Sequence, residues 1–398
     1  MRGARWLLVV IALALVVAVV QLVRPVPDVR LQVTLPSAFT AKGPAVSVPW
    51  PSAGQSALAI EGVGLVGTSG ATTPQPIASV AKVMVAYLIL KDHPLASGAN
   101  GPSVTITPAD VAVYQSDLAG GQSVVPVVAG ETLTERQLLE GLLLPSGNNL
   151  ATLLGEWDAG SLPAFVAKMN QAAQQLGMTH THYADASGVS PETTSTAADQ
   201  MIMAQAAMAD PTFRHIVALP QTTLPVAGVV YNVNAFLGRS GIVGIKTGST
   251  LEAGGCFVAA APVTAGSQTV LAFGAAFGQD GVMPLHDALT AGQGLVVAAG
   301  QFVTTDSPVR SGEAVATLVA PWAPPVAVVA SSGTTFIAWN GLKGSAGVTK
   351  PAALAHSVAR GAHIATLQVQ LGEQAATIPL TAAGSIPPPS LRWRLTRH

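Results

Sequence analysis

One uninterrupted apolar run, residues 6–23, constrains this chain more than any other feature. It is the one stretch of spanning length free of Pro, Gly and charge. At 1.5 Å per residue a helix there reaches about 27 Å, close to the roughly 30 Å hydrocarbon layer of a bilayer. No polar face recurs within it, which argues against a buried amphipathic helix. Arg2 and Arg5 precede the run and Arg24 follows it, so the positive-inside bias holds the start in the cytoplasm and sends the rest across. The run ends in Gln21, Leu22 and Val23 rather than a small-residue cleavage site, which favours a retained anchor over a removed signal peptide. Although 49% of residues are hydrophobic, no second stretch of this kind exists, and a polytopic membrane protein is excluded.

Charge narrows the functions further. Lys plus Arg number 19 and Asp plus Glu 20, so no basic excess is available to neutralise a phosphate backbone, and nucleic acid is not expected as a partner. The single cysteine, Cys256, excludes an internal disulfide or a thiolate metal cluster. It lies in the apolar run Gly255-Cys256-Phe257-Val258 and reads as a core residue. His180, His182 and Asp185 lack a third histidine or a His-Glu motif, so no metal site is expected.

The chain divides into four parts: an anchor at 1–24, a proline-rich extended linker at 25–49, a larger domain at 50–304 and a smaller one at 305–398. Residues 57–66 read as a β-hairpin turning at Glu61-Gly62. A helix is expected over 79–91. Thr132 with Glu135 forms a capping box opening a helix to 144, and Ser161 with Pro163 opens another that stops near Gly177. Residues 242–248, 254–261 and 269–277 are short apolar runs joined by Gly-bearing connections, as in antiparallel strands, and a last helix over 284–299 ends at Gly300. This order predicts an α+β fold, an antiparallel sheet covered by helices with a helical lobe. Beyond 305 the runs 326–330, 335–339, 364–371 and 376–380 predict a small all-β domain, with Leu367-Gln368-Val369-Gln370-Leu371 a half-buried strand and the basic tail from Leu391 a final solvated strand.

Three stretches of the larger domain carry chemistry. In Ser79-Val80-Ala81-Lys82, helical spacing puts the lysine amine on the face of the serine hydroxyl. Apolar neighbours strip the amine of hydration, lower its pKa and make it a base for that hydroxyl. The helix start beneath Ser79 supplies free N–H groups for an oxyanion. In Pro145-Ser146-Gly147-Asn148 a broken helix projects Ser146 and Asn148 from a short loop. In Lys246-Thr247-Gly248-Ser249 a strand edge offers a cation, two hydroxyls and, at Gly248, room for a substrate backbone, a combination suited to an anionic, peptide-like ligand.

Ser-x-x-Lys, Ser-x-Asn and Lys-Thr-Gly in this order form a known signature. With Ala186-Ser187-Gly188, Ser195-Thr196-Ala197 and Ala253-Gly254 around them, residues 50–300 resemble the D-alanyl-D-alanine carboxypeptidases, the low-molecular-mass penicillin-binding proteins of the S11 peptidase family. The resemblance implies a serine β-lactamase/transpeptidase-like domain with no cofactor. It implies a hydrolase acting on peptidoglycan stem peptides ending in D-Ala-D-Ala and acylated by β-lactam inhibitors. By the same resemblance Ser79 is the nucleophile, Lys82 its base, Ser146 a proton relay and Asn148 an orienting amide. Lys246 and Thr247 then hold the substrate carboxylate, and the N–H groups of Ser79 and Ser249 form the oxyanion hole.

Gly147 stands where β-lactamases carry aspartate, and no Glu-x-x-Leu-Asn segment follows, so the carboxypeptidase branch is favoured over drug hydrolysis. The carboxy-terminal amphipathic anchor of many relatives is missing, and the amino-terminal run is expected to replace it, giving a single-pass protein of the bacterial cell membrane with an extracytoplasmic catalytic domain, or a secreted one if the run is cleaved. A β-lactamase, a cross-link endopeptidase and a non-catalytic cell-wall-binding protein are the competing readings.

Overall fold

The Gly-punctuated apolar runs after residue 241 form the ladder expected of them. Strands Gly244–Thr250, Gly254–Ala265 and Gln268–Gln279 pair antiparallel in succession; Gln268–Gln279 then pairs with Gln55–Ile60, and Gln55–Ile60 with Gly64–Gly70. The sheet therefore joins the two ends of a unit spanning Pro44–Thr304. All of Gln55–Ile60 is buried, because helices Ala197–Met208 and Pro284–Phe302 pack on the sheet. The second of these approaches closely through Gly274 and Gly292, where a Cβ would meet the Leu295 and Phe257 side chains. It runs past Gly300 to Phe302, whose ring is buried in the core.

The computed structural model describes residues 2–350 and 352–397. Its helical lobe is built around Lys82–Asp92, which touches helices Glu135–Leu143, Asn148–Ala159, Leu162–Leu176, Ala197–Met208 and Pro211–Val217. A helix surrounded on all sides must be apolar on all sides, which is why residues 83–90 show no polar stripe. One start differs from expectation. Thr132 does not cap; Thr132–Thr134 is an extended strand paired with Ser103–Thr105, and the capping box is Thr134 with Gln137. Strand pairing holds the chain extended for two more residues, and Glu135 becomes a buried first-turn residue. Ser161 and Gly177 bound their helix as expected, Gly177 at φ 81°.

The other unit comprises Met1–Gly43 with Thr305–His398. Its seven-stranded sheet runs, in spatial order, Arg30–Val33, Ala314–Ala320, Ala323–Ala330, Gln374–Ala382, His363–Leu371, Lys343–Thr349 and Ala38–Thr40, with every neighbouring pair antiparallel. The alternation at 367–371 holds: Leu367, Val369 and Leu371 are buried while Gln368 and Gln370 are exposed. Residues 30–33 and 38–40, expected in an extended tether, instead form both edge strands, with Val29 and Ala41 buried in this unit's core. Strands of three or four residues between prolines are too short to show a period. The tail is also corrected. Leu391–Thr396 is a helix, not a strand, begun by the Ser390 side chain accepting from the Trp393 N–H. Arg2–Val23 is helical, and its part Arg5–Val23, with mean hydropathy 3.0, is long and apolar enough to cross a membrane.

Candidate active site

The segment that carries Ser79 is shaped before its helix begins. Ala78 adopts φ 47°, a single turn of tight helix covers Ala78–Ala81, and the regular helix starts at Lys82. The buried Gly188 backs this turn; at φ 78° it lies so near that a Cβ would come within 1.8 Å of the Ala78 carbonyl oxygen. Ser79 remains partly open while Lys82 is wholly buried. Helical spacing does what the sequence requires of it, and Lys82 Nζ lies 2.7 Å from Ser79 Oγ.

Lys82 Nζ is the hub of the site. It lies 3.2 Å from Ser146 Oγ and donates to Asn148 Oδ1 at 2.5 Å and to the Ser187 carbonyl at 3.2 Å. The last two partners can only accept. They take both protons of an uncharged amine and leave its lone pair facing hydroxyls. Burial is the main force holding the Lys82 pKa well below its ordinary value, aided by the charge of Lys246 and opposed by Asp185 and Asp117. The geometry is that of a general base within reach of a serine nucleophile.

Ser146 is brought to Lys82 by a backbone that sequence patterns flag only as a helix break. Its φ is 68°, an uncommon conformation for a non-glycine residue and one concentrated at functional sites. Asn148 begins the next helix, with its N–H donating to the Ser123 carbonyl and its Nδ2 to Gln122 Oε1 at 2.7 Å. Asn149 exchanges two hydrogen bonds with the Val125 backbone, strapping segment 122–125 to the helix.

Sequence patterns assign no role to Gln122, bring in Asp185 only beside His180 and His182, and Ser187 only within the phrase Ala186-Ser187-Gly188. Gln122 fixes which way the Asn148 amide points. Asp185 accepts from the N–H groups of Ser187 and Val189 and from the hydroxyls of Ser187 and Thr193, which sets the Ser187 carbonyl against Lys82. Asp-x-Ser-Gly is an Asx-turn signal that could have located this loop. The Asp185 carboxylate is thereby engaged in its own loop, and the His180 backbone N–H donates to Asp199 instead.

The third stretch lies where expected. Strand Gly244–Thr250 runs beside the nucleophile turn, and Gly248 allows it: a Cβ there would come within 2.8 Å of the Ser79 nitrogen and 3.1 Å of the Ile77 carbonyl oxygen. Lys246 and Thr247 are buried and Ser249 is exposed. Lys246 Nζ donates to the Thr247 carbonyl at 3.0 Å, and burial lowers its pKa to about 7. Cys256 pairs with Gly248 across the ladder; it is buried, and burial pushes its thiol up to about 12, as befits a core residue.

A sheet joining both ends of its unit carries a serine hydroxyl set against a desolvated lysine, the pairing of hydroxyl and base that acyl transfer requires. Residues 53–273 match the profile of the Peptidase S11 family, D-alanyl-D-alanine carboxypeptidase, and the chain belongs to that family. It is 38% identical over 193 residues to the D-alanyl-D-alanine carboxypeptidase DacB2 of Mycobacterium tuberculosis, covering 47% of this chain and 62% of that one. It is 34% identical over 223 residues to the D-alanyl-D-alanine carboxypeptidase of Streptomyces sp. strain K15, covering 51% and 73%. The crystal structure of the Streptomyces K15 DD-transpeptidase superposes with TM-score 0.52 at 27% identity over 64% of this chain and 99% of that one. Penicillin binding protein 5 of Haemophilus influenzae shares the fold over 85% of this chain and 99% of that one, with TM-score 0.62 at 21% identity. The chain spans 62% and 73% of the length of the first two relatives.

Proposed function

We propose that the protein is a serine-type D-Ala-D-Ala carboxypeptidase that removes the terminal D-alanine from peptidoglycan stem peptides. The observation that carries this reading is the Lys82 amine, buried, held by two pure acceptors and 2.7 Å from the Ser79 hydroxyl. In the acylation step Ser79 Oγ attacks the penultimate D-Ala carbonyl carbon and its proton passes to Lys82 Nζ. Ser79 and Ser249 N–H groups stabilise the oxyanion. Ser146, 3.2 Å from Lys82 Nζ, relays the proton to the leaving amine, and the C–N bond breaks. Lys246 and Thr247 hold the terminal carboxylate. Water then cleaves the ester, giving the shortened peptide and free Ser79. β-Lactams enter the same sequence as acylating inhibitors, and Asn148 aligns both Lys82 and the substrate amide.

The anchor reading belongs to the same proposal. Residues 1–24 form a retained single-pass anchor, residues 50–304 the extracytoplasmic catalytic domain, and the smaller β unit has no catalytic part. Support comes from the apolar helix, whose membrane-length window is entirely unburied.

The test is incubation of the purified protein with labelled penicillin and, separately, with a pentapeptide ending in D-Ala-D-Ala, read by mass spectrometry. Expected results are one adduct on Ser79, lost in Ser79→Ala, and loss of a single alanine from the peptide. An adduct that persists in Ser79→Ala overturns the assignment, and rapid release of hydrolysed penicillin turns it toward a β-lactamase.

A further inference from the structure

Two carboxylates, Asp185 and Asp117, act on the charge of Lys82, and the mechanism above gives neither a substrate contact. Asp185 is spent on its own loop, accepting from the N–H groups of Ser187 and Val189 and from the hydroxyls of Ser187 and Thr193. Asp117 is not. It stands half-buried in the last turn of helix Pro108–Ala119, and among the described residues no ion pair involves it. Its main-chain carbonyl, rather than its carboxylate, accepts from the Gln122 N–H at 3.0 Å.

That contact is the first of a short chain of hydrogen bonds leading into the site. Gln122 Oε1 accepts from Asn148 Nδ2 at 2.7 Å, and the Ser123 carbonyl accepts from the Asn148 N–H at 2.8 Å. Asn148 Oδ1 in turn accepts from Lys82 Nζ. Asp117 therefore belongs to a wall of the site, two side chains removed from the base. The wall is anionic. Helix Pro108–Ala119 has no basic residue in its last turn, so the negative end of its dipole and the Asp117 charge add without an internal counter-ion. Burial raises the Asp117 pKa and the Lys82 charge opposes the rise. When Lys82 works as an uncharged base that opposition lapses, and a partly dehydrated carboxylate is left to attract another cation.

Strand Gly244–Thr250 supplies the opposite sign through the buried Lys246. A ligand complementary to both walls carries an anion at its end and a cation further along. The substrate proposed above has the anion in its terminal carboxylate. Its two alanines offer only methyl groups and peptide amides besides, so the cation must be borne by the residue before them.

We propose that Asp117 is a specificity-determining residue that receives a side-chain ammonium of the residue preceding D-Ala-D-Ala, so that the enzyme selects stem peptides with a free amine at that position. The inference rests on the carboxypeptidase reading of the site. An ammonium on a flexible four-carbon stem is a compact point charge that asks no fixed geometry of a carboxylate at a helix end. A half-buried ion pair supplies a preference of about fivefold rather than an absolute requirement.

The test offers the full chain two pentapeptides ending in D-Ala-D-Ala that differ only at a preceding lysine, one with its ε-amine free and one with it acetylated. Loss of alanine is followed by mass spectrometry for the native protein, Asp117→Asn and Asp117→Lys. The kcat/KM ratio, free over acetylated, is expected to be about five in the native protein, near one in Asp117→Asn and below one in Asp117→Lys. A general change in Lys82 basicity or in folding slows both peptides alike and leaves the ratio where it was. Penicillin labelling of Ser79 in each variant shows that the site is assembled. A native ratio near one with both peptides shortened overturns this proposal and leaves the carboxypeptidase reading standing. A native preference that survives in both variants overturns it as well. So does an effect of Asp117→Asn confined to attachment of an added amine-bearing acceptor peptide, which would assign the ammonium to the acceptor. A native protein that shortens neither peptide removes the carboxypeptidase reading and this inference together.

Discussion

Lys246→Met isolates the free energy that the site invests in an unpaired buried cation. Lys246 is fully buried, its amine has a single partner among the described residues, and burial lowers its pKa from 10.5 to about 7. At about 1.4 kcal/mol per tenfold change in proton affinity, that drop sets an upper limit of about 5 kcal/mol on the destabilisation. Methionine fills similar space without charge, but it leaves the Thr247 carbonyl short of a donor, a loss of about 1 kcal/mol. Relaxation around a buried charge reduces the rest, so we expect a net gain of about 2 kcal/mol, or roughly 4–8 °C in melting temperature. The sign of the pH dependence follows from linkage. The folded state gives up the proton near pH 7 and the unfolded state near 10.5, so the penalty is complete below pH 7, shrinks between the two values and is absent above 10.5. Calorimetry at pH 6 and pH 9 should therefore show most of the variant's advantage lost at the higher pH, since the burial penalty falls by more than half while the cost at the Thr247 carbonyl stays. A destabilised variant, or an advantage that does not change with pH, refutes the reasoning. Substrate turnover should fall sharply at pH 6, where the native Lys246 is charged, and much less at pH 9, where the native amine has already given up its proton.

For the native enzyme, kcat/KM should form a bell against pH. Deprotonation of Lys82 gives the rising limb and loss of the Lys246 charge, near pH 7 in the free enzyme, gives the falling one; a rate that climbs steadily through pH 9 contradicts the role of Lys246. Gln122→Ala frees the Asn148 amide and should slow penicillin acylation about tenfold with the melting temperature within about 2 °C of native, because Gln122 is half-buried and supports geometry rather than the core; unchanged acylation contradicts the positioning role. Gly188→Ala forces a side chain onto the Ala78 carbonyl at a left-handed backbone position and should cost at least about 2 kcal/mol while displacing Ser79. Native stability with native acylation, by chemical denaturation and labelling, contradicts that reading.

The site was legible wherever one local rule was enough. Ser79 and Lys82 are three apart on one helical turn, so their contact is a property of the segment. Strand Gly244–Thr250 is announced by its glycines and apolar neighbours. Gln122 is different. It lies in an irregular stretch, and its role exists only because the Asn149 side chain straps that stretch to a helix. Thr132 shows the same limit, since a capping box is defined by spacing while the true start, Thr134, is set by pairing with Ser103–Thr105. In the smaller unit the edge strands 30–33 and 38–40 pair with partners roughly 300 residues away in sequence, which no window reaches.

The two lysines account for each other. To act as the proposed base Lys82 must be uncharged, and burial is the largest cause of its lowered pKa. The charge of Lys246 adds to that displacement, so on the mechanism proposed above the cation that would receive the carboxylate also helps keep the base deprotonated. When a carboxylate reaches Lys246 that repulsion is neutralised, the proton affinity of Lys82 rises, and the amine becomes a stronger base at the moment the scissile carbonyl lies against Ser79. On that mechanism substrate recognition and base strength are coupled through one electrostatic interaction, and the close packing of the Lys246 strand, through Gly248, onto the Ser79 turn is what such coupling requires.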